Sequence, residues 1–154
     1  MTMSTTPSNL AALACVGTLL AALAMPLQAQ QAQPTTDSSL FQDFGGLDVL
    51  RKVVDDTLAL ALADVRIKDT FKDVDMKRLA RLITEQFCEL TGGPCKYSGD
   101  PMKEVHQGLG LSNRQFNALV EDLQQAMDQS RVPSRTQNRL LALLAPMQRS
   151  IVSK

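Results

Sequence analysis

Apolar residues recur along this chain at three- and four-residue spacing, in blocks punctuated by glycine and proline, as expected for amphipathic helices packed on one another. Ser39 and Leu40 open a short segment that Gly45-Gly46 stops. Leu47, Leu50, Val53, Val54, Leu58, Ala61 and Leu62 then mark the buried face of a first long helix, with Arg51, Lys52, Asp55 and Asp56 on its polar face and Ala63-Asp64 at its end. A short irregular stretch follows through Phe71. Met76, Leu79, Ile83, Phe87 and Leu90 predict a second long helix from about Asp75 to Thr91, with Lys77, Arg78, Arg81 and Glu85 turned away and Gly92-Gly93-Pro94 as a firm stop.

Tyr97 and Gly99 fall in a loop, and Pro101 is placed to be the first residue of a short helix containing Met102, Val105 and His106. Gly108 and Gly110 confine that helix to roughly two turns. Ser112, followed three residues on by Gln115, is a capping box that starts a third long helix with Phe116, Leu119, Val120, Leu123 and Met127 on one face, ending near Gln129. Pro133 opens the last helix, whose apolar positions include Leu140, Leu141, Leu144, Met147 and Ile151, with Pro146 expected to kink it. The order is short, long, long, short, long, long, without strand-like alternation or sequence repeat, and the class is all-α.

The 154 residues have room for one domain. Lysine plus arginine balance aspartate plus glutamate at 16 each, so no charge excess points to nucleic acid or an anionic membrane surface as a partner. No charged residue occurs from Met1 to Thr36, and Leu10 to Leu27 is nearly all Leu, Ala, Val and Met, ending at the helix breaker Pro26. Residues 1–29 therefore read as an export signal, with an approximate cleavage site at Leu27-Gln28-Ala29 and a periplasmic product. The n-region lacks Lys and Arg, and the apolar run is at the short end of the ~17–25 residues that span a bilayer, so a retained anchor facing the periplasm is the alternative, and membrane contact is expected only in that case. Residues 30–38, rich in Gln, Thr and Pro, form a solvated tether, and the folded domain is expected over 39–154.

Cys15 lies within the signal, which leaves Cys88 and Cys95 to the mature chain. In an oxidising compartment the two can pair if Gly92-Gly93-Pro94 reverses the chain enough to bring the sulfurs together. One buried helical thiol and one loop thiol is the other arrangement. Two cysteines with no histidine beside them make a poor metal site.

The chemistry open to the domain is narrow. With a single histidine, no G-x-S-x-G and no glycine-rich phosphate loop, acyl and phosphoryl transfer lack their usual apparatus. A haem iron, by contrast, needs only one strong axial ligand, and a neutral imidazole supplies it. Periodicity alone does not select His106 for that role, because a lone histidine is as readily a packed or surface residue.

The chain resembles the group I truncated haemoglobins. The resemblance is carried by Phe44-Gly45-Gly46, Leu62-Ala63-Asp64, Phe71, Gly92-Gly93-Pro94 with Tyr97-Ser98-Gly99, the run Met102 to Leu111, Val132-Pro133, and Leu144-Ala145-Pro146, and it covers Ser39 to about Val152. It implies a two-over-two helical sandwich around one haem b, with the first two long helices on the last two. It also implies His106 as proximal iron ligand, Phe71 packed on the porphyrin near the distal side, and Met102, Tyr97, Leu111, Phe116 and Leu119 lining the haem pocket. Arg78, Arg81 and Lys103 are candidate partners for haem propionates, with solvated surface charge as the simpler reading of each.

The departures from the family bear on function. Where many members carry a tyrosine that hydrogen-bonds the gas, this sequence has Leu58; the usual distal glutamine falls at Ile83, and Leu79 occupies the other near position. A buried hydrogen bond to a partly charged diatomic ligand is worth about 1–3 kcal/mol, so weak oxygen stabilisation is expected, with CO and NO relatively favoured. Thr57, Thr84 and Gln86 are the nearby polar residues that could compensate, and Gln86 is expected to face solvent. The expected function is reversible binding of diatomic gases (O2, CO, NO) at haem iron. The alternatives are a haem enzyme handling NO or peroxide, which would need an electron donor, and a haem-free helical interaction module.

Overall fold

The computed structural model describes residues 39–154. The expected export signal or anchor of residues 1–29 with Cys15, and the tether of residues 30–38, lie outside the described residues. Seven α-helices and two 3-10 turns make up the described chain, and no strand occurs among these residues: α1 (Ser39–Asp43), α2 (Gly46–Ala63), a 3-10 turn (Lys68–Phe71), α3 (Met76–Leu90), α4 (Met102–Val105), α5 (Asn113–Gln129), α6 (Ser134–Leu144), a 3-10 turn (Ala145–Met147) and α7 (Gln148–Ile151). None of the described helices is long and apolar enough to cross a membrane.

Helix starts follow local chemistry. Asp75 caps α3 by accepting from the Arg78 backbone N–H, and Ser112 caps α5 in a full capping box with Gln115. The last helical region does not merely bend at Pro146. It breaks into α6, a 3-10 turn and α7, because proline offers no N–H to continue the α-helical ladder.

α2 is the central element. It packs on α3 and on α5, while α3 also meets α6, so two long helices lie over two. Leu50, Val53 and Val54 of α2, Met127 of α5 and Leu140 of α6 are wholly buried, and Leu40, Phe41 and Phe44 of the α1 segment close the same core. At the predicted stripe's far end, Leu62 is 45% exposed. It lies beyond the arc that Leu50, Val53, Val54, Leu58 and Ala61 turn inward, and contributes little to the core.

α4 corrects another expectation. It is a single turn, not two, and Pro101 precedes it in extended conformation, not as its first helical residue. His106 consequently sits at its C-terminal cap, and Gly108 and Gly110 take positive φ just beyond it.

Candidate functional site

A cavity of about 360 Å³ opens between the long helices, within the usual size range of small-molecule sites. Leu58 from α2, Phe71 from the first 3-10 turn, and Leu79, Ile83 and Gln86 from α3 line one part of it. Tyr97 from the loop, Met102 and His106 from the α4 region, Leu111, and Phe116 and Leu119 from α5 line the rest. The residues that the family resemblance places around the haem are thus on its wall. The wall is mostly aliphatic and aromatic, which suits a flat, largely apolar group with a few fixed polar contacts.

His106 is held by its own helix. Nδ1 lies 2.7 Å from the Met102 carbonyl oxygen. A carbonyl only accepts, which places a proton on Nδ1 and makes Nε2 the nitrogen whose lone pair can face a metal. The one-turn α4 explains why: with the helix ending at Val105, the His106 ring folds back on the carbonyl four residues earlier. No other lining side chain offers a comparable donor to a metal. The Met102 and Met147 thioethers are weak ligands, and burial, then the nearby Asp100 carboxylate, raises the Tyr97 hydroxyl above its ordinary value and keeps it protonated.

The loop before α4 is clasped to α3. The Glu89 carboxylate accepts from the Tyr97 backbone N–H at 3.0 Å and from Lys96 at 3.2 Å. One turn earlier, Glu85 accepts from the Ser98 N–H at 3.1 Å and from its hydroxyl at 2.6 Å. These contacts hold both carboxyls below the usual glutamate range: at Glu85 the Ser98 hydroxyl contributes most, and at Glu89 the Tyr97 amide does. The Tyr97 hydroxyl donates to the Asp100 carbonyl, and a Cβ at Gly99 would lie 2.3 Å from the tyrosine oxygen, so only glycine fits beneath the ring. Cys88 and Cys95 are joined in a disulfide.

The polar candidates separate. Thr57 lines the cavity, but its hydroxyl donates to the Val53 carbonyl at 2.6 Å, so its proton is committed within α2. Thr84 likewise bonds the Ala80 carbonyl and faces a groove between α2 and α3, outside the cavity. Gln86 does not face solvent as expected. Its amide is half-buried on the cavity wall, with Nε2 3.5 Å from the Met102 sulfur and 3.9 Å from that of Met147. It follows Leu79, Leu82 and Ile83 at three- and four-residue spacing, which places it on the inward face of α3. Of the cationic candidates, Arg81 is occupied by Glu85 and Ser98, whereas Arg78 and Lys103 are exposed.

Sequence reading passed over several lining residues, among them Met147 and Ile151, which were read only as core of the last helix, and Gln115, whose capping role masked its place at the wall. Spacing could have flagged Leu144, Met147 and Ile151 together, since they share one face at intervals of three and four.

Residues 39–153 match the family of bacterial-like globins. Over 118 residues the chain is 34% identical to a group 1 truncated hemoglobin of Mycolicibacterium paratuberculosis, covering 77% of this chain and 85% of that protein. A group 1 truncated hemoglobin of Synechocystis is 37% identical over 103 residues, covering 62% and 81%. Among solved structures, the Fe(III) form of the Tetrahymena pyriformis truncated hemoglobin matches with a TM-score of 0.72 and 28% identity, over 75% of this chain and 98% of that one. A group II truncated hemoglobin of Bacillus anthracis shares the fold at a TM-score of 0.67 and 24% identity, over 79% of this chain and 94% of that one.

Proposed function

This chain belongs to the bacterial-like globins, among the group 1 truncated haemoglobins, and from that premise we propose that His106 Nε2 is the axial ligand of its haem iron. The protein is a haem-binding globin that takes diatomic gases. The observation that carries the assignment of His106 is its hydrogen bond to the Met102 carbonyl on the wall of an apolar cavity. That bond fixes the tautomer a ligand requires, orients the ring, and raises the basicity of the opposite nitrogen.

Haem supplies an iron centre for the gas, and the residues around it supply orientation and selectivity. Phe71, Phe116 and Leu119 provide apolar surface for the macrocycle, and Arg78, which has no carboxylate partner among the described residues and is close enough to influence the Tyr97 hydroxyl, is our choice for a propionate contact. Leu58, Leu79 and Ile83 offer a gas no hydrogen bond. Thr57 cannot donate while bonded to Val53, and Gln86 is drawn toward the methionines at the α4 edge. We therefore propose an apolar distal side on which oxygen is weakly stabilised, with CO and NO relatively favoured.

Absorption spectra of the purified domain test both readings. An intense Soret band that weakens or shifts in His106→Ala is expected, and a spectrum indifferent to that change overturns the ligand assignment. Rapid loss of oxygen from the ferrous protein, beside a durable CO complex, is expected; slow oxygen release overturns the distal reading. Turnover of NO or peroxide at this site would need an external electron donor. We also propose that the domain is exported, a reading supported by the uncharged N-terminal run and by a disulfide suited to an oxidising compartment. Cell fractionation with a periplasmic marker tests it.

A further inference from the structure

The Cys88–Cys95 bond stands where the core hands over to the segment carrying His106. Cys88 is wholly buried near the end of α3, whereas Cys95 is only partly buried and lines the groove of about 720 Å³ between α2 and α3. Between them, a Cβ on Gly93 would lie 2.6 Å from both the Cys88 sulfur and the Phe41 ring, so the closed turn is packed against α1 with no spare room. Beyond Cys95, residues 96–100 have no regular secondary structure, and their amides at Tyr97 and Ser98 are gripped by Glu89 and Glu85. The single-turn α4 follows, and its main packing partner is α7, not the core helices. Among the described residues, the disulfide is the one covalent cross-link, besides the backbone itself, between α3 and this strap.

We propose that Cys95 is a thiol-exchange site, reached by a dithiol reductant through the α2–α3 groove, and that opening its bond to Cys88 loosens the strap and weakens haem retention. The second half of this proposal rests on the reading of His106 as the haem ligand. A thiolate of the reductant attacks the Cys95 sulfur, forming a mixed disulfide, and Cys88 leaves as a thiolate that takes up a proton. The second thiol of the reductant then closes on its own sulfur, releasing Cys95, which is protonated in turn. Two electrons and two protons pass to the protein, and the dithiol becomes a disulfide. Attack at Cys88 is excluded by its burial, so the direction of exchange is fixed by the fold.

The test uses the haem-loaded domain in three forms: oxidised, reduced with dithiothreitol, and with Cys88→Ser and Cys95→Ser combined. Amide hydrogen exchange at Tyr97 and Ser98 should accelerate about tenfold in the reduced and variant proteins as local opening becomes easier. Haem transfer to an apoglobin acceptor should accelerate about tenfold, the lower end of what losing an outer-shell support costs a metal site. Limiting dithiothreitol, acid quenching and mass mapping should find the mixed disulfide on Cys95. Unchanged exchange in both opened forms, or an adduct on Cys88, overturns the proposal. Loosened amides with unaltered haem transfer overturn its coupling to the haem, whereas failure of the His106 reading shows separately, as a Soret band unmoved by His106→Ala.

Discussion

Ile83 is the position at which a single change should alter ligand behaviour most. It lies on the cavity wall beside Leu58 and Leu79, on the same inward face of α3 as Gln86. Ile83→Gln introduces a donor at the point where the family usually has one, and should slow oxygen release about tenfold, since a buried hydrogen bond of ~1–2 kcal/mol corresponds to that factor. Stopped-flow displacement of oxygen by CO measures it. Asp122 of α5 is a different kind of residue. It is only 7% exposed, its Oδ2 has no hydrogen-bond partner, and burial, then the Asp64 carboxylate, pushes its pKa up. A carboxyl raised in the fold destabilises it where ionised, so Asp122→Asn should gain about 1 kcal/mol at pH 7 in urea unfolding, an advantage that vanishes as pH falls through the group's titration. At this scale the sequence spoke for chemistry and not for direction. His106, Leu58 and Ile83 could be named from a family pattern, but the inward turn of Gln86 and the commitment of the Thr57 hydroxyl depend on helix phase and on a bond back to Val53.

Elements were legible where their signals are local. The capping box at Ser112 and Gln115 lies within one turn and could be read as such; Ser112→Ala should cost ~1 kcal/mol of stability, seen as a lower urea midpoint with unchanged slope. α4 was harder, because a helix of four residues has too few internal hydrogen bonds to declare its length, and its end is set by the geometry of His106 and the glycines beyond. The clasp of Glu85 and Glu89 was invisible in the sequence, where Glu85 read as the solvated face of α3 and Glu89 carried no signal of its own. Its partners are backbone amides 8 and 13 residues away. Both carboxyls are depressed in the fold, so the stability they lend is fully present above the ordinary glutamate value of 4.5 and is lost as pH falls through their lower folded values. Glu85→Gln with Glu89→Gln should flatten the acid limb of stability against pH and lower stability by a constant amount above the ordinary glutamate value, with no change of slope there, as thermal melts across pH will show.

For the whole molecule, the two-over-two arrangement follows from four amphipathic faces that must bury one another, and the length and order of the helices carried enough of that to be read in advance. What could not be read is the state of the two cysteines: seven residues apart, they were equally compatible with separate thiols until the turn at Gly93 was seen folded against Phe41. By loop closure alone, removing the bond should cost about 2–3 kcal/mol, so the cysteine-free domain should melt several degrees lower while keeping its helical circular dichroism.

Tyr97 is the chain's single tyrosine, there is no tryptophan, and its ring borders the cavity. Its ultraviolet emission is therefore the only intrinsic light of note the protein produces, and it originates beside the place where a strongly absorbing porphyrin would sit. Adding haem to the empty protein should extinguish that glow in step with occupancy, which gives the molecule a built-in optical gauge of its own loading.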